Sequence, residues 1–188
     1  MITAILQSHP HAPCPAIRAF SARLHRSAPD RLELQYRIDG DIAELLIPAL
    51  THDQAGRTRQ DGLWKHTCCE LFLKRTRRQR ARAPGYYEFN FSPSGDWAAY
   101  AFDSYRTGML ALEVVEPPAI AVSQTDARLT IDVAISLPQD VVAARGETVS
   151  LTAVIEDRAG HISYWAVAHA PHKPDFHHDN GFVLRLPV

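Results

Sequence analysis

From Leu129 to Ser136 the sequence alternates without a break: Leu129, Ile131, Val133 and Ile135 against Thr130, Asp132, Ala134 and Ser136. Successive side chains of a β-strand point to opposite faces, so the pattern predicts a strand with one apolar and one polar face. The same period recurs along the chain. Arg31 to Asp39 sets Leu32, Leu34, Tyr36 and Ile38 against Glu33, Gln35 and Arg37. Tyr86 to Ser92 sets Tyr87, Phe89 and Phe91 against Glu88 and Asn90. Further strands are expected over Ile17–Leu24, Ala43–Ile47, Trp97–Phe102, Ile120–Ser123, Val149–Glu156, Ser163–His169 and Phe182–Leu186. Turn pairs such as Asp39-Gly40, Ser94-Gly95, Arg145-Gly146 and Ala159-Gly160 separate them. Short helices are expected only near Gly108–Val115 and Asp140–Ala144.

About ten short strands, without the long helices that parallel sheets require, predict an all-β fold: an antiparallel two-sheet β-sandwich. With 188 residues, 46% of them hydrophobic, the chain can bury a core without disulfides or metal. Neither a repeat nor a low-complexity linker interrupts it, so residues 1–188 are expected to form a single domain. A formal net charge of −1 gives no global field towards nucleic acid or membrane. No run of 18 apolar residues suits an ordinary transmembrane helix. His9, Pro10, His11, Pro13 and Pro15 stand where a secretory peptide needs an apolar stretch, so a cytoplasmic location is expected. Three cysteines, Cys14, Cys68 and Cys69, fit a reduced compartment. Cys68 and Cys69 are neighbours, and on a strand they point apart.

Chemistry concentrates in the segment Trp64 to Leu73. Taken as one strand, it places Trp64, His66, Cys68 and Glu70 on one face and Cys69, Leu71 and Leu73 on the other. The second set reads as core. If Tyr86–Ser92 pairs with this strand, Glu88 and Asn90 come towards Glu70. Later strands extend the same face with Thr130 and Asp132, with Thr152, and with Trp165 and His169. Indole planes stack on the C–H face of a sugar ring, and carboxylate and amide groups bond its hydroxyls. Such a face suits a neutral polyhydroxylated ligand; a sheet face covered by a loop, with the tryptophans as packing, is the plainer alternative.

The strings LWKHTCCELFL, YYEFNFSPSGDWAAYAFDSYR, SYWAVAHAPHKPDF and GFVLRL resemble bacterial DOMON-like domains, which are related to the family-9 carbohydrate-binding modules. The resemblance covers roughly residues 15–188. It implies an immunoglobulin-like β-sandwich whose relatives bind sugar or haem on one sheet face. In the sugar-binding relatives a tryptophan six residues before a strand glutamate forms one wall of the slot, as Trp64 stands to Glu70. A second tryptophan forms the other wall, matched by Trp165, and a middle-strand asparagine is matched by Asn90. The position beside it, often basic in those relatives, is Glu88. Glu70 and Glu88 side by side repel unless one is protonated, hydrogen-bonded or paired with a cation.

The expected ligand-binding residues are therefore Trp64, Glu70, Glu88, Asn90, Trp165 and, from the rim, His169. The expected function is non-catalytic binding of a saccharide or similar small polar ligand, with no cofactor. Two alternatives stand beside it. One is a haem or metal domain, using His66 with Met109, or the late run His169, His172, Asp175, His177, His178 and Asp179. That run matches no zinc spacing; Asp175 is as well suited to cap loop amides, Phe176 to seal the sandwich end, and the whole loop to cover the slot. The other alternative is a protein-interaction module. Lys74 to Arg82 carries six basic residues between two strands and is expected to be a solvated hairpin tip rather than a nucleic-acid patch. For enzymatic activity the sequence offers only His66 with Cys68, two residues apart on one strand, and the pair Glu70 and Glu88.

Overall fold

A computed structural model, which describes residues 1–50, 58–74, 85–142 and 147–186, turns these segments into two antiparallel sheets packed face to face. The smaller sheet runs in the order β1 (Ile2–Ile5), β3 (Ile17–Ala28), β4 (Arg31–Gly40), β10 (Arg128–Ser136) and β9 (Ala119–Thr125). The larger runs β2 (Gln7–Ser8), β12 (Ile162–Ala166), β11 (Thr148–Glu156), β5 (Cys68–Lys74), β6 (Tyr86–Phe91), β7 (Trp97–Phe102) and β8 (Leu110–Ala111). A further strand, β13 (Leu184–Arg185), pairs with β11 off this path. The fold is the expected all-β sandwich. Among the described residues it has thirteen strands rather than about ten, because β1, β2 and β8 are too short for a period of two to register, while β13 falls within the strand expected over Phe182–Leu186.

The pleat decides which side chains meet. β10 pairs with β4 so that Ile131 faces Tyr36 and Val133 faces Leu34, and these residues point together into the space between the sheets. From the larger sheet, Cys69, Leu71 and Leu73, then Tyr87, Phe89 and Phe91, enter the same core. Leu71 is wholly buried, which contributes about 1.5–3 kcal/mol relative to an exposed leucine. Cys68 and Cys69 face opposite sides, and all three cysteines are free thiols.

A second apolar cluster lies on the outer face of the larger sheet. Phe72, Tyr86, Tyr100, Phe102 and Phe182 form it, with Leu63 and Phe176 packed against it. That cover is why β5 and β6 are buried on both faces although the core needs only one of them.

Several expected elements differ. Instead of a strand over Ala43–Ile47, a 3-10 turn spans Ile42–Glu44, because Ile42 and Leu45, three residues apart, are the pair that buries. Gly108–Val115 is not helical: Gly108 takes φ +68°, and Leu112 and Val114 reach the core with strand periodicity. A helix spans Gln139–Val142, and residues 143 and 144 of its expected extent lie outside the described residues. Residues 75–82 of the basic segment also lie outside them, although β5 and β6 pair antiparallel as expected. Thr130 and Asp132 belong to the smaller sheet, where Gln35 Nε2 donates to Asp132 at 2.8 Å; they do not extend the face that carries Glu70.

Candidate functional site

The outer face of the larger sheet is assembled by its register. Glu70 on β5 sits opposite Asn90 on β6 and opposite Thr152 on β11. Glu88 on β6 sits opposite Phe72 on β5 and Tyr100 on β7. Val154 on β11 faces Tyr164 on β12. Two carboxyls thus lie on neighbouring strands, one diagonal step apart, in a floor otherwise made of rings and aliphatic groups. Over them opens a cleft of about 330 Å³, lined among others by Glu70, Glu88, Phe72, Val154 and Tyr164.

Its walls come from three connections. Before β5, Gly62 adopts φ +84° and starts a 3-10 turn over Leu63–Lys65. That turn stands Trp64 on the sheet with its ring edge-on to Tyr100, centroids 5.7 Å apart, and leaves it 36% exposed. From the β7–β8 connection come Arg106 and Met109. Arg106 has φ +53°, a left-handed conformation that costs a non-glycine residue energy and persists only where its surroundings hold it. The loop after β12 supplies Pro174, Asp175, Phe176 and His177. Phe176 packs on Phe72 and Tyr164, so it covers this face and does not seal the end of the sandwich.

The two loops are clamped together across the cleft mouth. Arg106 Nη2 donates to Asp175 Oδ1 at 2.8 Å, the Tyr105 hydroxyl donates to Asp175 Oδ2, and the His177 amide donates to Asp175 Oδ1 at 3.1 Å. Burial pushes the Asp175 carboxyl up, but the bonds from Tyr105 and Arg106 outweigh it and hold the group below its ordinary value. The expected cap on loop amides is therefore real, and it doubles as a loop-to-loop tie.

On the floor, Thr152 Oγ1 donates to Glu70 Oε2 at 3.0 Å and Asn90 Nδ2 donates to Glu88 Oε1 at 2.8 Å. Burial, reinforced by the neighbouring Glu88, drives the Glu70 carboxyl well above its ordinary value against the Thr152 bond. Burial also pushes Glu88 up to about 7, against the Asn90 bond and the Arg106 charge. Burial thus favours the neutral form of Glu70, which relieves the repulsion expected of the pair.

His177 stands above Glu88, its Nε2 3.9 Å from Glu88 Oε2. Burial, and then the Arg106 charge, lower it to about 4, so the imidazole is neutral. The Arg106 amide donates to the Tyr86 hydroxyl at 3.2 Å and takes up one of its lone pairs, which favours the arrangement in which Tyr86 donates to His177 Nδ1, 2.7 Å away. In that arrangement the histidine proton is on Nε2, facing the cleft.

Of the expected site residues, Trp64, Glu70 and Glu88 line the cleft, and Asn90 lies wholly buried beneath it as the support of Glu88. Trp165 does not line it. It is 6% exposed, points between the sheets and packs on Phe20, centroids 5.6 Å apart. Its indole N–H donates to Ser163 Oγ at 3.0 Å, so nothing draws it outward. Tyr164, one residue earlier, takes the outer face. His169 is also elsewhere: its Nε2 meets the Gln7 carbonyl at 2.8 Å and its ring packs on His9. Trp64 and His66 precede β5 and so do not share its pleat; His66 Nδ1 lies 2.7 Å from Glu156, away from Cys68, whose buried thiol is pushed well up.

The late histidines disperse: His169 to β2, His177 to the cleft, and His178 to the amide of Asn180. Among the described residues no group of three or more His, Cys, Asp or Glu side chains converges as a metal site requires. The sequence reading missed Tyr164, Arg106, Phe102 and His177 as lining residues. On β7 the core takes Trp97, which places Tyr100 and Phe102 outward on the same strand.

No protein-family model matches the chain and no curated protein matches it, so the resemblance to DOMON-like domains stays one of residues and spacing. Among solved structures the chain is similar to a family-9 carbohydrate-binding module from Caldicellulosiruptor kristjanssonii, solved in complex with glucose. The match spans 80% of this chain and 67% of that one, at 9% identity and a TM-score of 0.44. No residue of that module is carried across to this chain.

Proposed function

We propose that the protein is a non-catalytic binding domain whose cleft takes a saccharide or a similar small polar ligand. The observation that carries this is the pair Glu70 and Glu88, two buried carboxyls on the floor of a cleft walled by aromatic rings. Trp64, Tyr164 and Phe176 offer apolar surface to the C–H faces of a ring, while the carboxyls and His177 offer hydrogen bonds in both directions. Charge supports a neutral ligand. Arg106 is paired with Asp175, His177 is neutral, and burial biases both carboxyls towards their uncharged forms. Glycoside hydrolysis requires an acid and an ionised carboxylate flanking the bond. Here Asn90 and Thr152 already occupy one oxygen of each carboxyl, which favours holding hydroxyls over attacking a carbon. The DOMON-like likeness goes with this reading, with Tyr164 rather than Trp165 as the aromatic of the late strand.

Fluorescence tests it directly. Trp97 and Trp165 are each 6% exposed in the core, so Trp64 is the indole that reports on the cleft. Titration with D-glucose, D-galactose, D-mannose and D-xylose is expected to give saturable quenching that Trp64→Ala abolishes. Saturable quenching that survives Trp64→Ala unchanged removes the cleft as the site. Met109 and His177 on one cleft support a second reading, haem, with His177 rather than His66 as the histidine. A Soret band on haemin titration that Met109→Leu abolishes would replace the first reading with the second.

A further inference from the structure

We propose that Glu88 and His177 together read one hydroxyl of the ligand, a group that donates to the carboxyl and accepts from the imidazole. This rests on the saccharide reading above and names how the same cleft selects within that class. Three observations carry it. First, His177 Nε2 and Glu88 Oε2 lie 3.9 Å apart, too far for a direct hydrogen bond. An oxygen placed about 2.8 Å from each closes that span at an angle of about 90°. Second, the contacts behind the histidine favour one direction. The Arg106 amide donates to Tyr86 and Tyr86 lies 2.7 Å from His177 Nδ1; with Tyr86 as the donor there, His177 Nε2 is left as a donor. Asn90 occupies the other oxygen of Glu88, so Oε2 is the one turned to the ligand. Third, both side chains line the cleft and neither can turn away freely. His177 is wedged edge-on between Phe72, at 5.2 Å, and Phe102, at 5.2 Å, and Glu88 is 5% exposed.

A donor facing an acceptor across one oxygen's width discriminates by chemistry rather than by size. A hydroxyl satisfies both partners. A hydrogen or fluorine in its place leaves buried polar groups unpaired, which is the strong form of selectivity. Tyr86 touches no ligand in this scheme. It is a positioning residue that holds the histidine in one tautomer.

The experiment is a double-mutant cycle between protein and ligand, by calorimetry, using the monosaccharide that binds best among glucose, galactose, mannose and xylose. Its monodeoxy and deoxyfluoro analogues are titrated into wild type, His177→Ala, His177→Gln and Tyr86→Phe. One ring position is expected to stand out in wild type, deoxygenation and fluorination there each weakening binding roughly tenfold or more. In His177→Ala that penalty shrinks by about threefold or more, because the hydroxyl has lost its donor and keeps only Glu88 as a partner. His177→Gln, which keeps an N–H at similar reach, restores part of it. The wild-type analogue series alone keeps the test decisive should a variant fail to fold. If saccharides bind but no single position stands out, or the penalty persists in His177→Ala, the hydroxyl assignment falls while the binding site remains. If none of the four sugars binds, both readings fall.

Discussion

The phenol of Tyr36 reaches across the sandwich from β4 and donates to the backbone carbonyl of Glu70 at 2.7 Å. Tyr36 is 1% exposed, so the bond lies in the dry centre of the core. A residue of the smaller sheet thereby pins the point on β5 from which Glu70 enters the cleft on the far side. Tyr36→Phe keeps the ring and removes the bond. It is expected to cost about 1–2 kcal/mol, seen as a lower urea midpoint at unchanged slope. A midpoint equal to wild type would show that the bond contributes nothing.

The buried carboxyls set a pH dependence. Glu88 is pushed up to about 7, above the value of about 4.3 for glutamate in an unfolded chain. Between those values the folded protein holds a proton that the unfolded chain has lost, so this group's stabilisation is complete at low pH and is lost as pH rises through 7. The size is on the order of 3–4 kcal/mol. Glu70 acts in the same direction. His177 opposes both: lowered to about 4, it adds stability as pH rises from there to about 6.5. Subtracting Glu88→Gln from wild type isolates the first contribution. The difference in unfolding free energy is expected to fall between about pH 4.5 and pH 7 and to level off above that; a flat difference would mean that Glu88 titrates as a surface glutamate.

Asp175 carries the opposite sign. Its carboxyl is held below the ordinary range, so the clamp to Arg106 and Tyr105 is present at neutral pH and lost as pH falls through the folded value. Arg106 is about half exposed, which limits the contribution of the ion pair. Asp175→Asn is expected to lose about 1–2 kcal/mol at pH 7 and to converge with wild type at acid pH. Limited proteolysis should meet the loop after β12 sooner in the variant. Equal cleavage rates at pH 7 would show that the clamp does not hold the loop.

The fold was legible because the alternation of β4, β6 and β10 leaves no choice of face: each has one purely apolar side. The site was half legible for the same reason. Glu70 and Glu88 lie opposite unmistakable core residues, Leu71 and Leu73 on β5 and Tyr87 and Phe89 on β6, and so had to face outward. On β12 both sides carry an aromatic residue, Tyr164 on one and Trp165 on the other, and periodicity cannot say which is inside. His177, Asp175 and Arg106 sit in irregular connections, where no period exists to read. Trp64 reached the cleft by a 3-10 turn rather than by the pleat expected of it.

The difference between the two tryptophans, Trp64 in the cleft and Trp165 in the core, is open to a sharp test. Trp165 is a core residue packed on Phe20, so Trp165→Ala removes a large buried ring and leaves a cavity between the sheets. The expected loss is about 3–5 kcal/mol. Trp64 is partly exposed and leans on Tyr100 by one edge, so Trp64→Ala should cost about 1 kcal/mol or less in stability. Ligand binding should divide the other way. A smaller aromatic at the core position, Trp165→Phe, should leave sugar affinity within about twofold while lowering stability, because the ring never meets the cleft. Trp64→Ala should abolish binding in a protein that unfolds almost as wild type does. If Trp165→Phe instead destroyed binding without loss of stability, Trp165 would face the ligand and the register of β12 against β11 would be off by one residue.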